Sequence, residues 1–177
     1  MRLFIGIGLP PKLAERLAHA ARTLVAAGER SRIRWTPPEN LHLTISFLGQ
    51  VEPARLGGIE RALSLLHSPP LHLQLEGLGV FPNAGILYTQ AKPSPALLSF
   101  AEQVFRAMET GGFSREPRPY TPHITLARSK GRVHLNVHEQ SNPAFHQRFE
   151  AHEFRLYESF TLPGGAQYEM LSAFSLV

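Results

Sequence analysis

Arg34-Trp35-Thr36-Pro37-Pro38-Glu39-Asn40-Leu41-His42-Leu43-Thr44-Ile45 has a second telling later in the chain, Arg118-Pro119-Tyr120-Thr121-Pro122-His123-Ile124-Thr125-Leu126. Each is a basic, aromatic and proline stretch that runs into a strand of alternating apolar and polar residues. Alternation over four to eight residues is the mark of a half-buried strand. Proline cannot donate to a ladder, so the pairs Pro37-Pro38 and Pro119…Pro122 set where each strand begins. The segments before them match as well. Short apolar strands, Leu3-Phe4-Ile5-Gly6-Ile7 and Ile86-Leu87-Tyr88-Thr89, pass through Pro10-Pro11 and Pro93-Ser94-Pro95 into helices that end near Gly28 and Gly111-Gly112. His42 follows Leu3 by 39 residues and His123 follows Ile86 by 37. Shared order and near-equal spacing read as an internal duplication, residues 3–49 and 86–131, inside a single two-lobed domain over 1–177. The expected class is α+β: two mainly antiparallel sheets facing a central cleft, helices outside.

On a strand, residues i and i+2 share a face, so His42 projects with Thr44 and His123 with Thr125. If the strands meet, two imidazoles and two hydroxyls converge. Imidazole titrates near neutral pH, so a pair supplies one acid and one base; hydroxyls donate to phosphate oxygens. The residue types point to phosphodiester chemistry without a metal. A lone His-x-Thr is a common accident of half-buried strands, and only the double occurrence carries weight. Arg128 is a further candidate for the phosphate, although three residues after Thr125 an ideal strand turns it to the opposite face; Phe47 holds the matching place in the first copy. Trp35 and Tyr120 are candidates for stacking on a base, with packing as the commoner use of such residues. Arg34 and Arg118 are candidates for backbone phosphates. His134 and His138 have helical metal spacing, but Val133, Leu135 and Val137 alternate with them, so no metal site is expected.

Other elements follow from periodicity. Helices are expected over 11–27, 53–67 and 94–110, the last with Ser94 as cap and Pro95 in its first turn. Strands are expected at 33–35, 41–48, 71–78, 153–161 and 168–176, the last two joined by Pro163-Gly164-Gly165. The chain has 177 residues, 43% hydrophobic and 18% charged, the balance of a folded protein. No cysteine is present, which excludes disulfides, zinc-thiolate sites and cysteine nucleophiles. The apolar run Leu3–Leu9 is too short to span a bilayer and no small-residue cleavage site follows it, so a cytoplasmic chain is expected. The formal net charge is +4, and arginine supplies 15 of 18 basic residues; this permits a polyanionic partner without requiring one.

Arg2-Leu3-Phe4-Ile5, Pro37 through Thr44, Phe47-Leu48-Gly49, Pro119 through Arg128 and Leu156-Tyr157-Glu158-Ser159 together resemble the RNA 2′,3′-cyclic phosphodiesterases, also called 2′-5′ RNA ligase-like proteins, of the two-histidine phosphoesterase superfamily. The likeness runs from Arg2 to Leu176. It implies the bilobal duplicated fold and hydrolysis of an RNA 2′,3′-cyclic phosphate end to a 2′-phosphate. It further implies His42 as proton donor, His123 as proton acceptor, and Thr44 and Thr125 as holders of phosphate oxygens. One departure is Ser46, where many relatives carry a basic residue. The expected partner is RNA with a cyclic phosphate end, with no cofactor and no membrane, bound by a monomer. A 2′-5′ RNA ligase, a phosphodiesterase of small cyclic nucleotides and a non-catalytic RNA-binding module remain open as alternatives, because only the pocket outside the phosphate separates them.

Overall fold

The computed structural model describes residues 1–24, 33–81, 83–129, 142–162 and 165–177. The ends of the expected first helix beyond residue 24, the His134–His138 segment and Pro163-Gly164 lie outside them. Strand β1 (Arg2–Gly8) leads through Pro10 into helix α1 (Pro11–Thr23), then β2 (Ile33–Trp35), a 3-10 turn at Pro38–Asn40, and β3 (His42–Gln50). Helix α2 (Leu56–Ser64), β4 (Leu71–Phe81), β5 (Ile86–Ala91) and α3 (Pro95–Thr110) follow. The chain closes with β6 (His123–Ser129), β7 (Arg148–Ala151), β8 (Glu153–Leu162) and β9 (Gly165–Ser175). The class is α+β with an antiparallel sheet, as expected. Helix α2 is shorter than its periodicity predicts, because Pro53–Arg55 forms a separate 3-10 turn and no side chain caps Leu56. Helix α3 starts as predicted, with Ser94 Oγ accepting from the Leu97 N–H at 3.2 Å. Strand β7, which pattern did not separate from β8, adds to the edge of β4 from Leu71↔Ala151 to Gln74↔Arg148.

The hydrogen-bonded order of the described strands is β7-β4-β5-β6-β3-β1-β8-β9, with β2 also on β6. The two expected sheets are thus the two wings of one path, meeting at β6 and β3. That seam is a single residue pair, Leu43↔Ile124. It is short because the rest of the same β6 edge is taken by β2, from Ile33↔Ser129 to Trp35↔Ala127, and Pro37 and Pro38 between β2 and β3 have no N–H to offer.

Leu43 and Ile124 are fully buried, in one core with Leu13 and Leu17 of α1 and Leu97, Phe100 and Val104 of α3. Burying each such side chain is worth about 1.5–3 kcal/mol, so the seam is held by packing more than by its ladder. The helices occupy that face, and the opposite face is left open. No described helix is long and apolar enough to cross a membrane.

Candidate active site

The seam dictates the site. In an antiparallel pair the residues flanking Leu43↔Ile124 lie opposite one another, so His42 comes beside Thr125 and Thr44 beside His123. All four are half-buried, on the face away from the core. The imidazoles stand on the diagonal of this quartet, which in regular antiparallel geometry separates Cβ atoms by roughly 7–8 Å. That leaves room for one phosphate between the rings.

The two histidines are held in the same way. His42 Nδ1 lies 2.7 Å from the Asn40 carbonyl and His123 Nδ1 lies 2.7 Å from the Thr121 carbonyl. A carbonyl only accepts, so each Nδ1 carries the proton and each Nε2 is left to exchange one. Neither threonine hydroxyl bonds to another described residue. The rings rest on aromatic supports. Phe4 lies 4.7 Å from His42, with Tyr157 stacked on Phe4 at 4.9 Å and Tyr168 edge-on to His42 at 5.0 Å. Phe81 and Tyr88 meet His123 at 5.1 and 5.4 Å. Gly6 and Gly8 of β1 pair with Thr44 and His42; a Cβ on Gly6 would come within 2.9 Å of the Leu43 carbonyl oxygen, so glycine is needed for the close approach.

Burial is the main cause that lowers His42 from 6.5 to about 4; the hydrogen bond to Asn40 opposes it, while the charges of His123 and Arg128 add to it. Ligand-free His42 is therefore neutral at pH 7. An anion held between the rings would favour the imidazolium and oppose these effects.

Arg128 reaches this face after all. The β5–β6 register passes from Tyr88↔Thr125 to Leu87↔Ala127, which leaves Leu126 as an extra, bulged residue. Leu126 and Ala127 are both buried, and Arg128 returns to the open side, close enough to influence His42 and Tyr168. The first copy does the same: β1–β3 passes from Gly6↔Thr44 to Ile5↔Ser46, so Ile45 is the bulged residue and Phe47 re-emerges, paired with Phe4. Ser46 pairs with the fully buried Ile5, which puts its side chain on the helix side.

Tyr120 does not offer its ring to a base. Its hydroxyl donates to the Thr44 carbonyl at 3.0 Å, its ring meets Phe105 edge-on, and burial raises its pKa. Trp35 leans on the core. Arg118 is exposed. Among the described residues no three His, Asp or Glu side chains are grouped to hold a metal ion. Pattern reading missed Phe4, Tyr88 and Tyr168, whose parts are set by contacts between strands distant in sequence, and Asn40, whose carbonyl holds His42 two residues on while its side chain reaches the Ala166 carbonyl.

The sequence profile of the family described as LigT like phosphoesterase matches residues 7–88 and again 89–168. The chain is 31% identical over 180 residues to an RNA 2′,3′-cyclic phosphodiesterase of Archaeoglobus fulgidus, covering 98% of this chain and 99% of the relative. It is 30% identical to a protein of the same name from Escherichia coli, with 99% and 96% coverage. The crystal structure of E. coli LigT complexed with 3′-AMP superposes with a TM-score of 0.87 at 26% identity, over 99% of this chain and 97% of that one. A Thermus thermophilus protein, TT0787, gives 0.82 at 28% identity, over 99% and 98%. Two profile matches that together span most of the sequence, and full-length relatives at this identity, show that the chain belongs to the LigT-like phosphoesterase family.

Proposed function

We propose that this protein hydrolyses the 2′,3′-cyclic phosphate end of RNA to a 2′-phosphate by paired-histidine acid–base catalysis, with no metal cofactor. The observation that carries the reading is the quartet of His42, Thr44, His123 and Thr125 around the Leu43↔Ile124 pair; the names of the full-length relatives agree with it. His123 Nε2, neutral, takes a proton from water as the water oxygen bonds to phosphorus. The bond from phosphorus to the ribose 3′ oxygen breaks, and His42 Nε2–H protonates that oxygen as it leaves. Solvent then returns one proton to His42 and takes one from His123. Each proton transfer accounts for roughly 10²–10⁴-fold in rate. The Thr44 and Thr125 hydroxyls and Arg128 donate to the non-bridging oxygens as charge grows on them.

The same reading takes residues 3–49 and 86–131 as two copies of one unit within a single domain, acting as a monomer. The equivalent bulges at Ile45 and Leu126 and the equivalent Nδ1 bonds support the two-copy part of this reading.

The test is incubation with an oligoribonucleotide ending in a 2′,3′-cyclic phosphate, in EDTA, followed by analysis of the end group. A 2′-monophosphate is expected. A 3′-monophosphate, or an unchanged end on an oligomer that still binds, overturns the proposal. His42→Ala and His123→Ala are each expected to lose at least 10²-fold in kcat with binding largely retained, as measured by fluorescence anisotropy.

A further inference from the structure

Asn40 holds two parts of the molecule at once. Its backbone carbonyl accepts from His42 Nδ1 at 2.7 Å. Its side chain turns elsewhere: Nδ2 donates at 2.9 Å to the carbonyl of Ala166, 126 residues on. Asn40 is buried. An amide taken out of water costs free energy unless its hydrogen bonds are met, and this bond meets that need at Nδ2. Proton transfer as described above uses the carbonyl; the side chain has no part in it.

The bond lands on an edge of the sheet. Strand β9 ends the strand order and is laddered to β8 alone. Among the described residues, two side-chain hydrogen bonds tie β9 to other elements: Ser172 to Glu60 of α2, and Asn40 to Ala166. Ala166 lies at the turn end of β9, paired with Thr161. Two residues on, about 7 Å along the strand, Tyr168 stands edge-on to His42, with ring centroids 5.0 Å apart and planes at 89°. The same ring meets Phe4 at 5.0 Å, and Phe4 meets His42 at 4.7 Å. Tyr168 therefore closes the packing around His42 from the β9 side. Edge-to-face contacts need centroid separations of about 4.5–7 Å, so a hairpin that lifts at its turn end gives this one up.

We infer that the Asn40 side chain is a positioning residue for the proton donor: by holding the β8–β9 hairpin at Ala166 it keeps Tyr168 against His42, so that one residue fixes the imidazole at Nδ1 through its carbonyl and at the ring through Tyr168. The inference rests on the catalytic reading above and adds to it a residue that touches neither substrate nor reacting atoms. Two effects follow from cutting the tie. His42 loses one side of its packing and swings off the line to the 3′ oxygen, which lowers kcat and leaves the contacts to substrate in place. Water also reaches the ring from the β9 side, which weakens the desolvation that holds His42 below its ordinary value. The other titratable and charged groups facing the ring are His123 and Arg128 of β6 and Tyr157 of β8, and cutting the tie alters none of them.

The test is a double-mutant cycle on Asn40→Ala and Tyr168→Ala, with steady-state kinetics on an oligoribonucleotide ending in a 2′,3′-cyclic phosphate. Each single variant is expected to lower kcat by about tenfold, short of the ~10²-fold that a 1 Å misplacement can cost, with KM little changed. In each, the acidic limb of kcat/KM should rise from near 4 toward 6.5, by about one pH unit or more. The double variant should be no slower than the slower single one, because residues that act through one another do not add. Ser172→Ala, which cuts the other tie of β9, should keep wild-type kcat and the wild-type limb. If Asn40→Ala fails to fold, Asn40→Ser, whose hydroxyl is too short to reach Ala166, takes its place in the cycle. Losses that multiply in the double variant, or an equal loss in Ser172→Ala, overturn the positioning role while the catalytic reading stands. So does a variant at Asn40 with a lowered Tm but wild-type kcat and limb, since the bond then serves stability alone. No turnover by wild type overturns the catalytic reading and the positioning role with it.

Discussion

His42 is subject to opposed demands. Packing against Phe4 and Tyr168 orients it, and the same burial holds it down at about 4. Because the folded value lies below the ordinary 6.5, the unfolded chain binds more protons between pH 6.5 and 4 than the native one. Stability therefore falls as pH drops through that window, by up to about 3 kcal/mol and by less in practice because His42 is only half-buried. Denaturant melts at pH 7 and pH 4.5 should show this fall in wild type and a smaller one in His42→Gln. Catalysis should carry the same signature. The kcat/KM profile, which reports the free enzyme, is expected to be bell-shaped with its acidic limb near 4. The limb in kcat should lie higher, since bound phosphate stabilises the imidazolium. A kcat profile flat from pH 4 to 8 would remove His42 from proton transfer.

Strand-level features place the rings. Gly79 of β4 pairs with Tyr88 of β5, and a Cβ at Gly79 would sit 2.3 Å from the Tyr88 ring. Tyr88 therefore lies flat across this glycine and braces His123. Gly79→Ala displaces a side chain and leaves the backbone in place, so a fall in kcat of about tenfold is expected, with little change in Tm. Such a loss corresponds to about 1.4 kcal/mol in the barrier. An unchanged kcat would show that His123 needs no support from Tyr88. The cap of α3 is independent of the site. Ser94→Ala removes the bond to the Leu97 N–H and should cost about 1 kcal/mol, read as a Tm lower by about 2–4 °C with kcat unaltered.

Between β3 and β6 themselves the ladder is the Leu43↔Ile124 pair, backed by the core beneath it and by the Tyr120 hydroxyl bonded to the Thr44 carbonyl. Tyr120→Phe leaves that part-buried carbonyl without its donor, at a cost of about 1–3 kcal/mol, and loosens the strand that carries Thr44. Urea unfolding should show the lost stability, and turnover should fall with it; wild-type values for both would mean that the seam does not depend on this bond.

The class of fold, the strands of both motifs, the capped third helix and the shared faces of His42 with Thr44 and of His123 with Thr125 were readable because period, proline position and capping are local properties. A strand's two-residue repeat puts His beside Thr on one face whatever else the chain does. Other facts depend on which strands meet. Arg128 turns toward His42 because a bulge at Leu126 adds one residue to β6, and a bulge belongs to a pair of strands. Tyr120 became a tie between wings because Thr44, far off in sequence, presents its carbonyl there. His42 is neutral because Phe4, Tyr157 and Tyr168 come from β1, β8 and β9 to exclude water around it. Local pattern fixes which face a side chain takes, but desolvation, register and charge pairing are sums over neighbours that only the assembled sheet brings together.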